Sequence, residues 1–119
     1  MNAINLSSIN LEGKLHPVGY KVVTQDLKSL GLKNNSNIIQ YPLKEWFYLP
    51  AAEVEEGKSH WGGIWVAKDF SNAKKIMNYM SQKYGVHTRI FKSAIDRVLY
   101  STSCRIKTNG VILLEEMFL

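Results

Sequence analysis

The sequence predicts an α+β fold: a single compact domain with a mostly antiparallel, bent or split sheet and one main amphipathic helix. Three observations predict it. Short runs rich in β-branched and aromatic residues recur along the chain, each bounded by Gly, Pro, Asn or Ser. Turns, not repeated helices, separate them, which favours antiparallel or mixed pairing over a parallel doubly wound sheet. One segment, Ser71 to Tyr84, carries the apolar period of a helix.

Residues 1–16 are expected to form an N-terminal tail or edge segment, and residues 17–119 the domain. The first 15 residues alternate Asn, Ser and small apolar side chains without a clear period. Pro17 fixes its own φ and pushes His16 into an extended conformation. Gly19 to Thr24 reads as a strand. Gln25 to Leu32 suits a short helical turn stopped by Gly31. Asn and Ser at 33–37 form a turn cluster, and Ile38 to Tyr41 a short strand closed by Pro42. Lys44 to Leu49 is a strand whose Trp46, Phe47 and Tyr48 cannot share one face, because neighbouring side chains alternate. Ala51 to His60 is an acidic, exposed loop. Gly63 to Ala67 is a strand.

Asp69 or Ser71 then caps the helix through a side-chain oxygen that accepts from a free first-turn amide, worth about 1 kcal/mol. Ala73, Ile76, Met77, Met80 and Tyr84 form one stripe, with Lys and Asn on the other side. Gly85 sits where a left-handed C-terminal cap belongs. Beyond it come strands within 86–95, at 97–101 and at 105–107, then a hairpin-type turn at Thr108-Asn109-Gly110. A last apolar strand, 111–118, is interrupted by Glu115 and Glu116.

At 119 residues the chain fits one domain with a real core. No apolar run approaches the roughly 18–20 residues of a membrane span, and the N-terminus has no secretory pattern, so no membrane role is expected. Cys104 is the only cysteine, which excludes an internal disulfide and predicts a reducing, cytoplasmic setting. His16, His60, His87 and Cys104 are spread singly, so no metal is expected. No Walker loop or G-x-G-x-x-G occurs. The net charge of +5 favours an acidic partner: nucleic acid, a nucleotide or an acidic protein surface. Trp46, Phe47, Tyr48, Trp61 and Trp65, with Lys44, Lys58 and Lys68 among them, are residue types that single-strand binders use for stacking and charge. Aromatics on strands also serve as core.

Gly63-Ile64-Trp65-Val66-Ala67, followed by Ser71 and a helix, resembles the Gly-Ile-Tyr-Phe-Ala segment of the ADP-ribosyltransferase superfamily, in its diphtheria-toxin and poly-ADP-ribose-polymerase branch. The length and the strand-helix-strand middle are similar to those of the rifampin-modifying transferases. The resemblance implies NAD as cofactor, with Trp65 in place of the tyrosine that stacks on nicotinamide. An indole face can stack on a cationic ring. It also implies a catalytic glutamate on a late strand, Glu116 or Glu115, holding the ribose hydroxyls and stabilising an oxocarbenium-like centre. Gly63, Tyr20 and Ser71 complete the implied cofactor-binding set. The first strand reads Gly19-Tyr20-Lys21-Val22 where the family carries His-Gly-Thr or His-Gly-Ser. Ser101-Thr102-Ser103 matches the middle motif of the other branch, but Leu114-Glu115-Glu116 does not supply its Glu-x-Glu. Two functions are therefore expected. One is a small NAD-binding ADP-ribosyltransferase-like domain or a degenerate form of it. The other is a non-enzymatic basic binding protein of phage or mobile-element type, directed at nucleic acid or an acidic protein.

Overall fold

The computed structural model describes residues 6–30, 38–58 and 62–119. Its order is β1 (Ser8–Leu11), β2 (Lys14–Thr24), β3 (Trp46–Tyr48), β4 (Ile64–Ala67), α1 (Phe70–Tyr84), β5 (Thr88–Ile95), β6 (Val98–Ser101), β7 (Arg105–Thr108) and β8 (Gly110–Met117). A 3₁₀ turn spans Ala51–Glu53. The sheet runs β3-β8-β5-β2-β4-β7-β6, all named pairs antiparallel, and β1 adds to β2 as a hairpin. The α+β class, the mostly antiparallel sheet and the principal helix stand as the sequence predicts.

Several local expectations change. The first firm strand begins at Lys14, not Gly19, because Glu12 and Gly13 make a two-residue turn that pairs it with β1. Both residues have positive φ, the geometry a tight hairpin needs. Residues 25–30 hold no helix. Leu27 takes φ 64° and Lys28 bridges to Gln40, so this stretch pairs across instead of coiling. The expected turn at 33–37, along with His60 and Trp61, lies outside the described residues.

The turn at Asn109 is not a hairpin. β7 pairs with β4 and β6, whereas β8 pairs with β3 and β5. One residue thus joins strands that have three others between them along the sheet. Consecutive Cα atoms are only about 3.8 Å apart, so the sheet must curl until those strand ends meet. Asn109 ties the corner: its Oδ1 accepts from Arg97 N (3.0 Å) and its Nδ2 donates to Asp96 Oδ2 (2.8 Å).

Curling gives the sheet two unlike faces. The concave face holds the main core, where Val23, Val66, Phe91, Ile106, Val111 and Leu113 meet in one cluster although their strands span most of the sheet. Burying such side chains contributes roughly 1.5–3 kcal/mol each. The other face carries α1, with Ala73 of the helix packed against Val22, Ala67 and Ile90 and flanked by Ile76 and Met77. Asp69, not Ser71, is the helix cap, its carboxylate accepting from Asn72 N at 2.8 Å. Gly85 closes the helix at φ 65°. Among the described residues, no helix is long and apolar enough to cross a membrane.

Candidate functional site

Cross-strand partners share a face, so the register fixes where each candidate side chain stands. Trp65 opposes Lys107, and Lys107 opposes Tyr100. Ala67 opposes both Tyr20 and Arg105. Tyr20 opposes Lys92, which opposes Glu115. All of these belong to the helix-bearing face. Glu116 opposes Phe91, a residue of the concave core, so it stands on the other face.

The two glutamates are therefore not brought to Trp65. Glu116 accepts two hydrogen bonds from Arg89, Nε to Oε2 at 3.0 Å and Nη2 to Oε1 at 2.7 Å. This guanidinium holds the Glu116 carboxyl below the usual carboxylate range. A carboxylate so engaged is a structural ion-pair partner across the β5–β8 ladder. Glu115 shares Trp65's face, but β5 and β2 lie between their strands. Three strand spacings are about 14 Å. The helix fills part of the interval, with Phe70 against Tyr20 at 6.0 Å between ring centroids. The expected common cleft of Trp65, Tyr20 and a late glutamate is not formed.

Gly63 and Ser71 have structural roles. A Cβ on Gly63 would fall 2.3 Å from Lys107 Cγ, so the glycine leaves room for the buried stem of that lysine. Ser71 is exposed in the first turn of α1, where Asp69 already caps.

What the structure does assemble is a cation–aromatic corner that sequence reasoning missed. The Arg105 guanidinium lies over the Trp65 ring, 3.9 Å from Cζ to the centroid. Tyr100 meets Trp65 edge-on at 6.3 Å. Arg105 is held by its turn. Thr102 Oγ1 accepts from Cys104 N (3.2 Å) and Arg105 N (3.1 Å), and Thr102 N donates to Arg105 O at 2.9 Å. Lys68 N donates to Cys104 O at 2.9 Å, which fastens the turn to the end of β4. Lys68 Nζ reaches Thr102 O at 3.4 Å. The Ser101-Thr102-Ser103 run thus builds a turn, and its threonine braces the arginine's backbone.

The charges there are uncompensated. Among the described residues the ion pairs are Lys28–Asp26, Lys58–Glu55, Arg89–Glu116 and Arg97–Glu56. Arg105, Lys68 and Lys74 belong to none of them. Lys74 Nζ lies 5.1 Å over Phe70, at the start of the helix that follows Lys68. The signal for this corner was faint in the sequence, because Trp65 and Arg105 are 40 positions apart and only strand pairing joins them. Of the other expected stacking residues, Phe47 packs into the core against Tyr41, and Lys58 is paired with Glu55. Among the described residues, no group of three His, Cys, Asp or Glu side chains is placed to hold a metal ion. No protein-family model matches the chain, and neither the curated proteins nor the solved structures give a match to it.

Proposed function

We propose that this protein is a non-enzymatic binding module that takes single-stranded nucleic acid at the Trp65–Arg105 corner. One observation carries the reading: an exposed arginine, stacked on a half-buried indole, has no carboxylate partner among the described residues, and Lys68, bonded to the same turn, belongs to none of the ion pairs there either. Arginine planes and aromatic rings stack bases at about 1–3 kcal/mol each, whatever the base, and the flanking ammonium groups meet the phosphates. The net charge of +5 supports the same partner through long-range attraction.

Retardation of short single-stranded oligonucleotides over a salt series tests this. The expected result is binding that weakens steeply with salt, as released counterions require. Arg105→Ala should weaken it about tenfold and flatten the salt slope by about one ion. No retardation at low salt overturns the nucleic-acid reading and leaves an acidic protein as the partner class. NAD titration followed by tryptophan fluorescence is the companion measurement. This reading expects no saturable response, and a saturable one would favour the nucleotide-binding alternative.

A further inference from the structure

We propose that the pocket between the β1–β2 hairpin and edge strand β3 is a binding site for a guanidinium group, such as an arginine side chain carries. The cavity measures about 420 Å³, within the size range of small-ligand sites. Its aromatic wall is built by the strand period. Trp46 and Tyr48, two residues apart on β3, project to one face and stack at 5.4 Å with 14° between their planes. His16 of β2 braces the indole at 4.8 Å, and its Nδ1 lies 3.3 Å from Ile95 O. The carbonyl can only accept, so that nitrogen donates. Phe47, between the two wall residues, turns into the core.

The charge of the pocket points to a cation. Three carboxylates line it: Glu12, Glu45 and Asp96. None of them is in an ion pair among the described residues. One carboxylate is held in place, and a second stands on a braced turn. Asp96 Oδ2 accepts from Asn109 Nδ2 at 2.8 Å, which leaves its other oxygen for a ligand. Glu12 stands in the hairpin turn, fixed by the bond from Gly13 N to Asn10 Oδ1 at 3.0 Å. The Asp96 charge is near enough to Tyr48 to help burial raise that phenol above its ordinary range. Lys14 and Lys44 also line the pocket; they are exposed, as Glu12 and Glu45 are, but their longer stems can carry the ammonium groups into water. With histidine neutral, three acids against two lysines give a net charge of −1 in a chain of +5. A guanidinium fits this combination better than an ammonium. It is flat, it stacks on rings, and its fork of donors matches a carboxylate.

This inference does not rest on the nucleic-acid reading, because the two sites share no residue. The test is NMR titration of the Trp46 indole N–H with N-acetyl-arginine amide, and with N-acetyl-citrulline amide as a neutral isostere. The expected result is a saturable shift with the arginine compound and about tenfold weaker binding of the citrulline compound, the effect of one charge-assisted hydrogen bond. Glu45→Gln and Asp96→Asn should each weaken arginine binding several-fold, while Arg105→Ala leaves it unchanged. Glu45 is exposed and holds no structural bond, so its variant keeps the test valid if Asp96→Asn disturbs the corner. Absence of a saturable shift overturns the proposal. So does equal binding of the citrulline compound, or saturation by guanosine monophosphate without any by arginine.

Discussion

Two cations meet the same residue, Trp65, from opposite faces of the sheet. Lys21 lies in the concave core, donating from Nζ to the Trp65 carbonyl at 2.8 Å and sitting 5.3 Å over the Tyr41 ring. Arg105 lies on the helix-bearing face, stacked on the indole itself. Both have an aromatic neighbour, and neither has a carboxylate partner among the described residues. The difference is water. Lys21 is 7% exposed, and burial pushes its ammonium down from the ordinary 10.5 to about 8. Arg105 is exposed, and its charge remains available to a partner. The same pairing of cation and ring is thus a cost to the fold on one face and a solvated charge on the other.

The sharpest way to break this comparison is to remove the buried charge. A displacement of about 2.5 pH units corresponds to roughly 3 kcal/mol against the charged form. Lys21→Met keeps most of the volume and loses one hydrogen bond worth about 1 kcal/mol. The variant should therefore be about 2 kcal/mol more stable at pH 7, measured by urea unfolding. A loss of stability would mean that the ammonium is well solvated in the core.

The same lysine makes a pH prediction. Between about pH 8 and 10.5 the unfolded chain still holds a proton that the folded chain has released, so stability should rise with pH. Burial of Tyr41 raises its phenol above the ordinary range. Above pH 10 the unfolded chain therefore ionises that group first, and stability falls again. Denaturation midpoints of the parent protein should climb from pH 8 to 10, and those of Lys21→Met should not.

Gly63→Ala sharpens the contrast on the other face. The new Cβ meets Lys107 Cγ, and such overpacking costs typically about 1–3 kcal/mol. Unchanged stability would show that the glycine is not there for the lysine stem. Arg105→Ala should change stability by less than about 0.5 kcal/mol, as an exposed side chain does, while nucleic-acid retardation weakens. A comparably small effect belongs to Glu116→Gln. Its half-exposed pair with Arg89 is worth about 0.2–1 kcal/mol. The folded carboxyl titrates below its unfolded value. This contribution is therefore present above the unfolded value and lost as pH falls through the folded one. Acid unfolding curves of parent and variant should converge at low pH.

Much of the fold was legible from local pattern. The apolar stripe at Ala73, Ile76, Met77 and Met80 and the cap at Gly85 marked the helix, because a 3.6-residue period and a left-handed glycine are local properties. The alternation at 46–48 foretold two faces, and the structure sends Phe47 to Tyr41 and leaves Tyr48 half exposed. The candidate site was less legible. Trp65 was singled out, but its partner, Arg105, was not, and Glu116 was expected at a ligand although Arg89 holds it. Neither pairing leaves a mark on the nearby sequence.

The sequence by itself determined the α+β class, the helix and its C-terminal end, and the basic charge, since each follows from side-chain period, capping or composition. The tertiary structure alone decided which cations are sealed and which are open. One residue at Asn109 carries the chain between strands four places apart in the sheet, and the curl this demands sets Lys21 inside and Arg105 outside. Burial of a charge depends on what lies above it in space, and that cover comes from strands remote in the chain.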